Sequence, residues 1–384
     1  MTLRLSGLAL SVLLLMTSST NCAHRPAMLV QSHPSGPVCG EVVPEGEREV
    51  TWIGPDDQRD RIRLIDWCRT VGPVVARTPV SDKPVVEELA VLSWNVHVGG
   101  GDLDRVVADL KAGHFTEGRP VTHFVLLLQE AHRQGPDVPA TIPARSPVPP
   151  AIVEHPPTGV RRDVQEVAEV QGLNVFYAPA MRNGHTAVPE DRGTAILSTL
   201  PLTDLQVIEL PFERQRRIAV SGTIAGRTPS YVDWEIRVVG VHVDTALALT
   251  RGGPFAARKR QAEALVEALA GPASPPTIVG GDFNTWLGTK EPALAVMREA
   301  FPETPAQPDA TTWRGPLGAH GSLDYVFVRG GFRSVSTRRL PDRFGSDHYP
   351  LLTLVALGHV DRRQAHLPAA PRTSLRDVQS SSNG

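Results

Sequence analysis

Short, nearly uninterrupted apolar runs at Leu89–Val96 and Phe124–Leu128 have the length and composition of buried strands. Between them Leu103, Val106, Val107 and Leu110 fall at i, i+3, i+4 and i+7, which predicts a helix with Asp102 as its N-cap. The same spacing recurs at Ala262, Leu265, Val266 and Leu269, and Gly271-Pro272 ends it. Further strands are predicted at Thr194–Ser198, Val207–Leu210, Ile218–Ile224, Trp234–Val243, Thr277–Gly280, Leu323–Val328 and Tyr349–Ala356. Several of these follow one another with no helix between them. That argues against a purely doubly wound sheet and for mixed sheets with helices outside.

The pattern changes toward both ends of the chain. Arg4 precedes an apolar run from Leu8 to Met16 and a small polar exit, Thr17 to Thr20, which reads as an export signal over residues 1–22. The run is short of the ~20 residues a membrane span needs. Cys22 sits where bacterial lipoprotein signals place their lipidated cysteine. Ser19 and Asn21 depart from that pattern, so lipidation at Cys22 and ordinary cleavage both stay open. Residues 23–37 read as a tether, and residues 38–88 as a small segment with strand-like pieces at Glu49–Ile53 and Ile62–Asp66. Cys39 and Cys68 make an even pair in an exported chain, and a bridge between them would close a loop worth roughly 3.5 kcal/mol. The main domain runs over residues 89–357, and residues 358–384 read as a disordered tail. Within the domain, residues 134–157 carry eight prolines and no periodicity, and read as a loop.

Composition adds limits. At 41% hydrophobic and 21% charged, the 384 residues have the apolar material for a real core. The 39 basic and 41 acidic residues leave a net charge of −2, which excludes a broadly basic nucleic-acid coat protein. An enzyme that binds phosphate locally remains compatible.

Polar residues recur at the C-terminal ends of the predicted strands, where related sheets place their sites. Asn95 ends the first strand and Glu130 follows the second; His242 closes another. Asp282 and Asn284 follow Thr277–Gly280, Asp324 lies inside Leu323–Val328, and Asp347-His348 precedes the last strand. Charges on apolar strands are costly unless paired or bound to metal. Glu130, Asp347, Asp282, Asn95 and Asn284 offer oxygen ligands, which suit Mg²⁺, Mn²⁺ or Ca²⁺ better than zinc. Two histidines beside such a cation suggest proton transfer around a phosphoryl centre. The chain has no Gly-x-Ser-x-Gly elbow and no glycine-rich phosphate loop. Arg216 and Arg217 are candidates to steer a phosphate, with a solvated face as the alternative. Trp313 is read mainly as packing, and His97, His185 and His320 are set aside.

Taken in order, Ser93-Trp94-Asn95-Val96, Leu128-Gln129-Glu130, Arg192-Gly193-Thr194-Ala195-Ile196-Leu197-Ser198, Gly240-Val241-His242, Gly281-Asp282-Phe283-Asn284, Leu323-Asp324-Tyr325-Val326 and Ser346-Asp347-His348-Tyr349-Pro350 resemble the motifs of a known superfamily. It is the endonuclease/exonuclease/phosphatase superfamily, which includes deoxyribonuclease I-like nucleases, neutral sphingomyelinases and inositol polyphosphate phosphatases. The resemblance implies an α/β (α+β) fold, a four-layer sandwich of two mixed β-sheets packed face to face with helices outside. It implies Glu130 as the main metal ligand with Asn95 and Asp347 beside the metal. Asp282 and Asn284 would orient the attacking water and a phosphate oxygen, His348 would be the active-site histidine oriented by Asp324, and His242 the second histidine. His97 stands where some members carry an acidic residue.

The reading is an exported phosphodiesterase of the periplasm, cell envelope or medium. A nucleic-acid substrate comes first, and a phospholipid such as sphingomyelin or an inositol phosphate second. A lipid anchor to a membrane is a possible partner surface, and no obligate protein partner is evident. A non-catalytic binding protein on the same fold would be expected to lose a ligand or a histidine, and none is lost.

Overall fold

The computed structural model describes the backbone of residues 29–31 and 43–45, and residues 50–357 apart from 56, 81, 147–156, 158, 246–251, 272–273 and 308–309. The expected signal, Cys22, the tether's first part, Cys39 and the tail from 358 lie outside the described residues. The first sheet has seven strands in the order β1 (Leu29–Gln31), β3 (Val50–Ile53), β9 (Leu202–Glu209), β10 (Ile218–Arg227), β11 (Asp233–His242), β12 (Thr277–Asp282) and β15 (Asp324–Arg329). The second has eight, β16 (Ser334–Arg339), β17 (Leu351–Ala356), β5 (Glu88–Asn95), β6 (Phe124–Gln134), β8 (Glu190–Ser198), β7 (Asn174–Arg182), β4 (Val75–Arg77) and β2 (Val43–Glu45). Both mix parallel and antiparallel pairs; β5 with β6 and β11 with β12 are parallel. A short hairpin, β13 (Trp313–Arg314) and β14 (His320–Gly321), stands apart.

The apolar runs are continuous because these strands are buried on both faces. In β5, Leu89 and Val91 enter the core between the sheets, while Ala90, Leu92 and Trp94 face the outer helices. In β11, Ile236 and Val238 point inward, and Val239 and Val241 outward. Helices α2 (Leu103–Ala112) and α3 (Val164–Gln171) cover the second sheet, and α4 (Pro254–Leu269) and α5 (Pro292–Ala300) cover the first. The result is the four-layer α/β sandwich. Asp102 caps α2 by accepting from Arg105 N at 3.0 Å. No helix among the described residues is long and apolar enough to cross a membrane.

Two local expectations change. Ile62–Asp66, read as a strand-like piece, lies in helix α1 (Gln58–Cys68). Asp57 caps that helix by accepting from Arg59 N at 2.7 Å, and the helix buries Leu64 and Trp67 while Ile62 and Ile65 stay exposed. Capping and helical spacing outweigh the β preference of the two isoleucines. Strand β7 escaped the hydrophobic reading because Pro179 interrupts it; the proline sits at a register shift, where a missing N–H costs least. The chain before residue 89 extends both sheets through β1 to β4.

Buried charge is answered by buried charge. Arg133 donates from Nε to Asp191 Oδ1 at 3.0 Å, and Asp191 also accepts from Tyr177 Oη at 2.7 Å and Gly72 N at 2.8 Å. Asp191→Ala leaves Arg133 unpaired in the interior and is expected to cost about 3–5 kcal/mol. Urea unfolding of the two proteins measures it; a loss under about 1 kcal/mol contradicts this account.

The sheets approach closely just beneath the site. A Cβ on Gly280 of β12 would lie 2.8 Å from Ser93 Cβ of β5 in the opposite sheet. Glycine there lets neighbouring strand ends from both sheets converge on one cleft.

Candidate active site

Register places the polar strand ends side by side. Asn95 pairs with Gln129 across β5 and β6, and the next residue, Glu130, sits in a bulge with φ 53°. The bulge re-aims its half-buried carboxylate relative to the strand's alternation. On the first sheet, His242 pairs with Asp282, and Asp282 with Asp324. Asn284 follows with φ 48°; its N–H donates to Asp282 Oδ1 at 2.9 Å and its side-chain amide to Val243 O at 3.1 Å.

Asp282 Oδ2 is the hub. Asn95 Nδ2 donates to it at 3.1 Å, and His242 Nε2 and His348 Nε2 stand 3.5 Å and 3.8 Å away. His348 Nδ1 is hydrogen-bonded to Asp324 Oδ2 at 2.8 Å. Thr312 Oγ1 accepts from the N–H groups of Leu323 and Asp324, which fixes the start of β15. Ser346 Oγ donates to Asn95 O at 2.7 Å and accepts from His348 N at 3.0 Å, while Trp94 Nε1 donates to His348 O. The Asp347-His348 turn is thereby tied to the end of β5. Asp347 accepts from Trp313 Nε1 at 3.0 Å, and its Oδ1 lies 3.7 Å from His97 Nδ1.

These contacts sort the titrating groups. Burial opposes the charged form of His348, but Asp324 and Asp282 outweigh it and push its pKa up to about 10. Burial raises the Asp282 carboxyl to about 7; Asp324 adds to this and His348 opposes it. His242 is driven well below an ordinary histidine by burial first, then by Arg217 and His348.

Asn95, His242, Asp282, Asn284, Asp324, Asp347 and His348 thus form one connected cluster. Glu130 joins through a narrow cleft that it lines with Arg192, Arg217 and His242. Arg217 reaches this cleft and Arg216 does not. Arg216 is held by Glu209, with Nε to Oε2 at 3.0 Å, and donates to Pro179 O at 2.8 Å, so it is a buried structural cation and not a phosphate-steering one. Three contributors were given no site role in the sequence. His97 donates its N–H to Asn95 Oδ1 at 3.0 Å and faces Asp347, Trp313 holds Asp347, and Arg192 lines the cleft. His97, two residues after the motif asparagine, and Arg192, at the head of a family motif, carried a signal; Trp313 carried none. His185 and His320 are exposed.

The donor set fits a hard divalent cation. Glu130 presents a carboxylate at the cleft, while Asn95 Oδ1 accepts from His97 N–H and Asp347 accepts from Trp313 Nε1. Asp282, Asp324 and His348 also have ligating atoms within 4.8 Å of one another, but they are engaged with each other and with the N–H donors just described.

Two mixed sheets packed face to face, with carboxylates, amides and imidazoles gathered at one mouth, define a sandwich hydrolase of phosphoric esters. The chain belongs to the Endonuclease/Exonuclease/phosphatase family, whose model matches residues 92–348. Enzymes of the family hydrolyse phosphoric esters and depend on divalent metal. No curated protein matches the sequence. Among solved structures, the human Nocturnin catalytic domain with bound sulfate anion is similar at 17% identity, over 72% of this chain and 96% of that one, with TM-score 0.44. A family protein from Leptotrichia buccalis is similar at 15% identity over 70% and 100%, with TM-score 0.48. The Xenopus laevis APE2 catalytic domain is similar at 12% identity over 70% and 94%, with TM-score 0.37.

Proposed function

We propose that the protein is an exported phosphodiesterase that uses Mg²⁺, with Mn²⁺ or Ca²⁺ as substitutes, and cleaves by in-line attack of water on a nucleic-acid-like substrate. The observation that carries this reading is the Asp282 carboxyl. It stands near neutrality within 3.1–3.8 Å of an amide and two imidazoles. As a carboxylate it accepts a proton from water held in line with the leaving oxygen, and Asn284 orients that water and a phosphate oxygen. His348, kept protonated by Asp324, faces the phosphoryl oxygens as a cation. Glu130, Asn95 and Asp347 would hold the metal, which when bound neutralises the phosphoryl charge and the developing alkoxide. Arg217 lies at the cleft wall.

Chelation tests the reading. Excess EDTA is expected to abolish hydrolysis of bis(p-nitrophenyl) phosphate, and Mg²⁺ or Mn²⁺ to restore it. Full activity in EDTA would sink the metal-dependent mechanism. Plasmid DNA, RNA, sphingomyelin vesicles and inositol phosphates, assayed side by side, identify the substrate. Nucleic acid should also show a steep loss of affinity with salt.

One observation favours a phospholipid as the second reading. Trp286, Leu287 and Leu317 are exposed, Leu317 fully, and Trp286 meets edge-on, at 5.2 Å, the Trp313 ring that holds Asp347. An apolar rim reaching toward a metal ligand suits a lipid surface. Trp286→Ala should weaken sedimentation with sphingomyelin vesicles if that reading holds, and leave it unchanged if it does not.

Export rests on the N-terminal pattern. A Cys39–Cys68 bridge and lipidation at Cys22 would accompany it, and intact-mass measurement of the processed protein distinguishes each.

A further inference from the structure

We infer that Arg217 is a positioning residue that locks His242 as a neutral hydrogen-bond donor, so that this imidazole binds a phosphoryl oxygen and transfers no proton. The inference deepens the phosphodiesterase reading and rests on it for the identity of the bound group.

Arg217 is buried at 5% exposure, and its Nη1 lies 3.2 Å from His242 Nδ1. A guanidinium can only donate, so Nδ1 must present its lone pair and the ring's hydrogen must sit on Nε2. That Nε2–H is buried and has no hydrogen-bond partner; Asp282 Oδ2 is the nearest carboxylate oxygen, at 3.5 Å. The donor is therefore formed and waiting.

The charges around the ring hold it in this state. Arg217, Arg192 and His348 face it as cations, against Asp282 at the ring and Glu130 across the cleft. A second proton, on Nδ1, would set an imidazolium against the Arg217 guanidinium in a poorly solvated place. It would also pair His242 with Asp282 and remove the carboxylate that receives the water's proton. The lock keeps the two groups separate in function.

Three of the other buried arginines face a carboxylate: Arg133 with Asp191, Arg216 with Glu209 and Arg258 with Glu291. Arg182, also buried, donates to the carbonyls of Gly184 and Pro139 instead. Arg217 has no carboxylate within 4.0 Å among the described residues, and its Nε has no partner either. Asp244, Glu130 and Asp282 act on it only from beyond contact distance, so this buried cation beside a cleft can still be met directly by an anion that arrives with the substrate. His242 Nε2–H and the Arg217 charge then act on the same oxyanion, one by contact and one from behind.

Two measurements separate this inference from the reading beneath it. Long-range ¹H–¹⁵N spectra of the histidine side chains in the resting protein should show His242 protonated on Nε2 alone at neutral pH. Arg217→Met should free Nδ1 and let the Nδ1–H tautomer appear, and Arg217→Lys, which keeps a donor, should restore the lock. A doubly protonated His242 near neutrality in the parent protein, or unchanged His242 signals in folded Arg217→Met, would overturn the inference. In turnover, His242→Gln, which keeps an N–H, should stay within about tenfold of the parent kcat, while His242→Ala should lose about 10²–10³-fold. Equal loss in both would make His242 a proton-transfer group and overturn it as well. Parent protein that hydrolyses no phosphodiester would fail the functional reading and leave the spectroscopic result standing.

Discussion

Glu130→Gln should lower kcat/KM on bis(p-nitrophenyl) phosphate by about 10³-fold or more, with Mg²⁺ affinity falling in parallel. Glutamine keeps the shape and an oxygen but removes the carboxylate that, among the described residues, lines the cleft beside Arg217 and His242. A cation that neutralises phosphoryl charge is worth several kcal/mol of barrier, and each 1.36 kcal/mol is about tenfold. The backbone supports the same conclusion. A non-glycine residue at φ 53° inside a strand costs of order 1–3 kcal/mol, and here the bulge holds it there. Glu130→Gly should therefore raise unfolding stability slightly while abolishing activity, a trade that marks a residue placed for chemistry. Calorimetric Mg²⁺ titration and steady-state rates on the three proteins check it. Near-parental rates for Glu130→Gln would remove it from the metal site.

Asp324→Asn should cost about 10²–10⁴-fold in kcat and move the alkaline limb of the pH profile to lower pH. Asparagine keeps an oxygen for the 2.8 Å bond to His348 Nδ1, so geometry survives and charge does not. Without Asp324, burial pulls the His348 pKa down from about 10. The parent profile needs Asp282 ionised and His348 protonated, so activity should rise through about pH 7 and fall through about pH 10. Stability follows the same groups. The raised pKa of His348 contributes stability that is fully present below about pH 6.5, the unfolded value, and is lost as pH rises through about 10. Asp282 is also raised, so its contribution is present below about pH 3.9 and lost as pH rises through about 7. Denaturant midpoints across this range should fall with pH in the parent, and the alkaline part of that fall should shrink in Asp324→Asn. An unmoved alkaline limb would detach Asp324 from His348.

The sheets were legible because their strands are buried on both faces, so apolar runs such as Phe124–Leu128 need no partner to be recognised. Helix α1 was not, because two isoleucines mimic a strand while the capping carboxylate of Asp57 and the burial of Leu64 and Trp67 decide the outcome. The site residues were legible as residue types at strand ends. Their relations to one another were not. Arg216 and Arg217 are adjacent and chemically identical, and successive side chains of an extended segment point to opposite sides. One therefore meets Glu209 and the other meets His242. His97 and Trp313 reach Asp347 from chain positions far apart, which no local pattern encodes.

By itself, the order of apolar runs indicated mixed sheets with helices outside and polar strand ends suited to phosphoryl chemistry, and the motifs, through the family they resemble, implied the sandwich. Only the tertiary structure decided which charges answer each other. It brings Asn95, Asp282, Asp324 and His348 within a few ångströms from four strand ends and leaves Arg217 facing an imidazole instead of a carboxylate. The reason is physical: burial sets the strength of each charge, and register sets its partner. Both are properties of packed neighbours, not of sequence neighbours.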